Sequence, residues 1–189
     1  MMMDKLIYSA VQVLRGGGTL LYPTDTIWGI GCDATNVSAI ERIYAIKERD
    51  HGKSMLILAS TDMLSPEMPH EVQSLLLTSD RPTTVVVPAC YVVMPLPQNL
   101  LAADGTVGIR VPHMDFCQVL LQALGHPIVS TSANLSGSPS PQCYADIANE
   151  LKQRVDCCLP DLPEFRHPAT GSSRILKVNP DGTLFTIRD

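Results

Sequence analysis

A chain of 189 residues with 45% hydrophobic and 17% charged side chains has the composition of one globular domain, neither disordered nor coiled-coil. A formal net charge of −5 excludes a protein whose whole surface coats nucleic acid, and every apolar run falls short of the roughly 18 residues a membrane span requires. The six cysteines make no CxxC pair and no Cys/His spacing for a tetrahedral zinc site, so no metal centre is expected; without a secretory signal, they are expected to be reduced in a cytoplasmic protein.

Residues 4–15 predict a first helix, with Leu6, Ile7, Ala10, Val13 and Leu14 on one face and Gly16, Gly17 and Gly18 ending it. These glycines follow a helix and carry no lysine, so they are not a phosphate loop. Thr19 to Tyr22 reads as a strand stopped by Pro23. Thr24, Asp25 and Thr26 then set two hydroxyls and a carboxylate beyond a strand end, where α/β proteins place ligands, and Gly29 and Gly31 allow close backbone approach.

Ser38 and Glu41 give a capping-box signature for a second helix, whose inward stripe is Ile40, Ile43 and Tyr44. Lys47, seven residues after Ile40, stays close to that stripe, so a cation ends the buried row. Arg42, Lys47, Arg49 and Lys53 concentrate positive charge within an acidic chain; the cluster reads either as an anion site or as a solvated helix end.

Strands are predicted at 54–59, 83–88, 106–111 and 126–130, with helices at 70–77 and 115–124. Alternation in TVGIRV puts Thr106, Gly108 and Arg110 on one face, so Arg110 is either a surface residue or lines a polar cavity. The stripe of the 115–124 helix is Phe116, Val119, Leu120 and Ala123. STSANLSGSPSP, from Ser130 to Pro141, gathers hydroxyls and an amide at a strand exit; it reads either as a plain loop or as a site for phosphate, ribose or carboxylate. No GxSxG elbow surrounds these serines. A helix at 145–155, with Ile147, Ala148 and Leu151 inward, a short strand at 156–159 and a hairpin of 173–178 with 183–188 around NPDG complete the pattern. The expectation is a single α/β domain over 4–189, with a twisted mixed sheet flanked by helices and no separate C-terminal domain.

YPTDTIWGIG, a helix ending in KER, KSMLIL, GTVGIRVP, STSANLSG and a terminal SSRILKV hairpin ending in an arginine occur in the order found in the YrdC-like family of threonylcarbamoyl-AMP synthases, which the chain resembles from about Ala10 to Arg188. The resemblance implies a YrdC-like fold with a concave basic cavity. It also implies a nucleotidyltransferase that uses L-threonine, bicarbonate and ATP, with Mg2+ held chiefly by phosphates, to form threonylcarbamoyl-AMP and pyrophosphate. The product serves threonylcarbamoyladenosine modification of tRNA beside the anticodon, through downstream transfer proteins, with RNA binding as a further expectation.

Carried over by position, Thr26, Arg110 and Ser130 would hold the threonine end, and Lys47 and Arg49 would be catalytic. Those two, with Lys53, Thr106, Ser132, Asn134, Ser140 and Arg188, would complete the nucleotide site. The chain departs from the family pattern at Asp50, at Lys53 with Ser54, at Leu58, at Arg174 and in the DRPTT segment. The alternatives are a non-synthase paralogue that binds nucleotide or RNA, and a non-catalytic RNA-binding module.

Overall fold

Glycines and short β-branched runs give this chain brief strands that must find partners far away in sequence, and the sheet they build is the frame of the molecule. The structure, a computed structural model, describes residues 2–51, 55–166, 171–179 and 182–189. The elements are α1 (Met2–Arg15), β1 (Leu20–Tyr22), β2 (Gly29–Gly31), α2 (Val37–Lys47), β3 (Leu56–Leu58), α3 (His70–Thr78), β4 (Thr83–Pro88), β5 (Thr106–Arg110), α4 (Asp115–Leu124), β6 (Ile128–Ser132), α5 (Asn149–Arg154), β7 (Cys157–Cys158), β8 (Arg174–Val178) and β9 (Leu184–Arg188).

The strands form one sheet in the order β7-β1-β2-β6-β3-β5-β4-β8-β9. Pairing is parallel for β1 with β7, β3 with β5 and β4 with β8, and antiparallel elsewhere, so the sheet is mixed as expected. Leu20, Leu21, Ile30, Ile57, Val85, Ile109 and Val129 have no exposed surface. Helices α1 and α4 pack together, and Arg15 at the end of α1 donates to the Ala123 carbonyl at 3.0 Å. Among the described residues no helix is long and apolar enough to cross a membrane.

Gly31 is fixed by the sheet itself. A Cβ there would lie 1.9 Å from the Val129 carbonyl oxygen, so only glycine lets the strands meet at this crossing.

Several local expectations are corrected. The cap of α2 is Asn36, whose side chain accepts from the Ala39 N–H at 3.0 Å from an extended backbone; Ser38 lies inside the helix and Glu41 accepts from Asn99 instead. In α4 the buried residues are Phe116, Cys117, Leu120, Leu121 and Leu124, while Val119 and Ala123 face out. The inward row lies further round the helix than the stripe predicted from sequence, taking in Cys117, Leu121 and Leu124.

Strand β6 starts at Ile128 and continues through Ser132, because Thr131 and Ser132 still find ladder partners in Ile30 and Gly29. Polar side chains alone suggest a loop there. The 145–155 helix is broken: the Asp146 carboxylate takes the Gln142 and Cys143 N–H groups around a single 3₁₀ turn, and α5 begins only at Asn149. Ala148 is consequently exposed, whereas Ile147 and Leu151 are buried as expected.

Candidate functional site

Strand pairing places the loop after β1 beside the polar end of β6 and the middle of β5, although these three segments are distant in sequence. Together with β4, β8 and β9 they line a cleft of about 290 Å³. Its walls carry hydroxyls from Thr24, Thr26, Thr84, Ser130, Ser132 and Ser140. Arg49, Arg110 and Arg188 also line it, and no carboxylate does so among the described residues.

Arg110 sits at the bottom of this arrangement. It is 4% exposed, which settles its reading in favour of a cavity residue. Its Nη1 donates to Thr26 Oγ1 at 2.8 Å, and its Nη2 lies 3.3 Å from Asp25 Oδ1. Asp25 also accepts from the His113 N–H at 3.0 Å, so the loop after β1 is tied to the segment after β5. Thr24 Oγ1 lies 2.9 Å from Thr26 Oγ1 and donates to the Ile27 carbonyl at 2.8 Å. The buried Arg110 Nε has no hydrogen-bond partner among the described residues. A guanidinium held by two side chains with a remaining donor unmet is suited to a planar anion such as carboxylate.

Arg188 stands at the rim, where its Nε and Nη2 both donate to the Ser173 carbonyl, at 3.1 and 2.8 Å. Loss of water contact, and then the like charge of Arg110, lower the affinity of Arg188 for its proton. Arg49 is shifted the same way by desolvation. Two hydroxyls, Thr84 Oγ1 and Ser173 Oγ, meet at 2.8 Å nearby. Grouped like charges that have been stripped of water favour a bound anion.

The remaining residues expected at the site divide by position. Thr26, Arg49, Arg110, Ser130, Ser132, Ser140 and Arg188 line the cleft together. Lys47 and Asn134 do not line it; Lys47 is 1% exposed and its Nζ reaches the carbonyls of Ser132 and Asn134 and the Asn134 Oδ1. Burial, followed by the charge of Arg49, lowers the Lys47 pKa to about 7. Thr106 is turned to Asp104, donating from its hydroxyl at 2.6 Å. Lys53 lies outside the described residues. Arg174 donates to Thr83 Oγ1 at 3.2 Å and is not among the lining residues.

Sequence reasoning missed Trp28, Ser172, Ser173 and Ile175 as wall residues. Trp28 had a signal in the YPTDTIWGIG motif, while the others enter the wall only through the pairing of β4 with β8.

The sequence profile of the Sua5, YciO and YrdC proteins, described as "Telomere recombination", matches residues 12–188. A protein of Hahella chejuensis named threonylcarbamoyl-AMP synthase is 35% identical over 178 residues, covering 88% of this chain and 95% of its own. One of the same name from Nitrosococcus oceani is 32% identical over 158 residues, covering 81% and 84%. Among solved structures, Escherichia coli YciO has a TM-score of 0.75 at 27% identity, with coverage of 98% of this chain and 89% of its own. Sua5 of P. abyssi in complex with L-threonine has a TM-score of 0.78 at 26% identity, covering 90% of this chain and 50% of that longer one. With a profile match spanning nearly the whole sequence and a shared fold, this chain belongs to the Sua5/YciO/YrdC family.

Proposed function

We propose that this chain is an L-threonylcarbamoyl-AMP synthase, a nucleotidyltransferase that makes threonylcarbamoyl-AMP and pyrophosphate from L-threonine, bicarbonate and ATP. The observation that carries the reading is the buried Arg110 guanidinium, anchored on Thr26 and Asp25 with its Nε unmet, at the floor of a cleft lined also by Arg49 and Arg188. Relatives that carry the synthase name over most of their length, and the similarity to a Sua5 bound to L-threonine, support the choice of substrates.

The chemistry asks mainly for alignment and charge neutralisation. The threonine amine condenses with bicarbonate, releasing water and leaving a carbamate. A carbamate oxygen then attacks the α-phosphorus of ATP, the bond from that phosphorus to the bridging oxygen breaks, and pyrophosphate leaves. Arg110, Thr26 and Ser130 hold the threonine end, the guanidinium fork gripping its carboxylate. Arg49 and Arg188, with the hydroxyls of Ser132 and Ser140, receive the phosphates and ribose. Mg2+ would be held by the phosphate oxygens of ATP and by water, since the wall offers hydroxyls but no carboxylate among the described residues, and it would supply charge neutralisation for the pyrophosphate.

This reading places the protein in the cytoplasm, in tRNA modification beside the anticodon, as supplier of an activated group to downstream transfer proteins. The test is pyrophosphate release with ATP, magnesium, L-threonine and bicarbonate, omitting each in turn. Release that needs both threonine and bicarbonate supports the synthase. Release that ignores threonine, or none at all, would overturn it in favour of a nucleotide- or RNA-binding protein of the same fold, whose RNA affinity falls steeply with salt.

A further inference from the structure

Lys47 is among the largest fully buried side chains in the protein. Its Nζ has three oxygen acceptors, the carbonyls of Ser132 at 2.5 Å and Asn134 at 2.7 Å and the Asn134 Oδ1 at 3.2 Å. An ammonium has three protons to donate, and these three acceptors match them. The backbone joins in, because the Lys47 carbonyl accepts from the Ser136 N–H at 2.9 Å. One helix end is thus fastened to one polar segment from both its side chain and its main chain.

The contact is passed on toward the cleft. Asn134 Oδ1 also accepts from Ser132 Oγ at 2.5 Å, and Asn134 Nδ2 donates to the Ser138 carbonyl at 2.5 Å. Ser132 and Ser140 line the cleft, whereas Lys47 and Asn134 stand behind them. The orientation of the Ser132 hydroxyl therefore depends on an amide whose own oxygen is held by Lys47.

We infer that Lys47 is a positioning residue, an ammonium clamp that sets the 132–140 wall of the cleft through Asn134, rather than a direct contact to the phosphates of the nucleotide. The inference rests on the synthase reading for its kinetic consequence and on the three acceptors for its geometry. It accounts for the cation at the end of the buried stripe of α2: an apolar side chain would take the Lys47 donor from the Asn134 carbonyl and leave the Ser132 carbonyl and the Asn134 amide oxygen with one donor each, the Asn134 N–H and the Ser132 hydroxyl. The opposite wall, Thr26 with Arg110, is held by its own bonds and does not involve Lys47.

Lys47→Met, in the full chain without ligand, is expected to raise hydrogen exchange at least tenfold in peptides covering 132–138 and to leave β4 and α4 unchanged. In the synthase assay it is expected to raise the KM for ATP about tenfold while the KM for threonine stays within twofold. Asn134→Ala is expected to do the same. The double variant is expected to be no worse than Lys47→Met alone, since both break one chain of contacts. A rise in the KM for ATP with unchanged exchange would show Lys47 touching the nucleotide directly and overturn the clamp, as would independent, multiplying effects of the two substitutions. If Lys47→Met does not fold, Asn134→Ala alone decides through the same exchange and KM readings. Absence of threonine-dependent release by the unaltered protein would sink the synthase reading and leave the exchange measurement as the test of the clamp.

Discussion

Arg110 Nη1 lies 2.8 Å from Thr26 Oγ1, and this bond joins the end of β5 to the loop after β1 across the floor of the cleft. Replacing Arg110 with lysine keeps a cation but removes the fork that meets carboxylate at two points. The KM for threonine is expected to rise about 100-fold, with a much smaller change for ATP. Steady-state kinetics with each substrate varied in turn checks this, and equal changes in both would contradict the assignment.

Arg110→Met asks a different question of the same bond. It removes the cation from an Asp25 side chain that is 12% exposed, and breaking such a buried pair from one side costs about 3 kcal/mol. Urea denaturation monitored by circular dichroism measures it. A variant as stable as the parent would show that the pair does not hold the loop.

Gly31→Ala puts a methyl group 1.9 Å from the Val129 carbonyl oxygen, and because backbone stands on both sides neither can swing away. A loss of at least about 3 kcal/mol is expected, enough to deplete the soluble protein on expression. The comparison is Gly108→Ala, where the nearest atom is the Thr84 side-chain methyl at 3.1 Å and the expected loss is smaller.

Asp156 should report on acid stability. Its carboxyl is held at about 2, below the ordinary 3.8, first by the Arg42 guanidinium and further by the Thr19 N–H at 2.7 Å and the Thr19 hydroxyl at 2.9 Å. The unfolded chain takes up this proton more readily than the folded one, so the contribution is complete above about pH 4 and is lost as pH falls toward about 2. The pair is partly open to water, and the expected size is only about 1 kcal/mol. Thermal midpoints of the parent and Asp156→Ala should converge as the pH is lowered from 5 to 2.5; a constant gap would assign the effect to packing.

Arg188→Gln should raise the KM for ATP about tenfold without altering that for threonine, because Arg188 stands at the rim on β9 and the proposed assignment puts the amino-acid end at Arg110 and Thr26. A matching rise for threonine would move the two binding ends relative to this assignment.

Much of this architecture was legible in the sequence because the signals were local. β-Branched runs marked β4 and β5, Gly125 ended α4, and the loop after Pro23 announced hydroxyls beyond a strand end. The misses share a cause, which is that a partner elsewhere decided the outcome. Thr131 and Ser132 became strand because Gly29 and Ile30 lay opposite, and Asn36 won the cap from Ser38 because its backbone was already extended. The resemblance puts Lys47 among the phosphate contacts, and the sequence carries no sign that its Nζ is surrounded by the backbone of a segment some 85 residues away. Thr106 was drawn off by Asp104, which is held in turn by Lys177 at 2.6 Å.

The sheet order carries one more consequence. β9 is the outermost strand, exposed along its length and with β8 as its one ladder partner among the described strands, yet it brings Ile187 and Arg188 to a cleft whose opposite wall begins at Thr24. The two sides of the cleft are thus among the most widely separated parts of the sequence, and nearly all the chain must be in place before they face each other. Contacts of such long range are slow to form, because the entropy of a large loop must be lost before they return any energy. A nucleotide bridging the two walls would act as a tether on that last strand, so saturation with ligand should protect the β8–β9 amides more than those of the central strands.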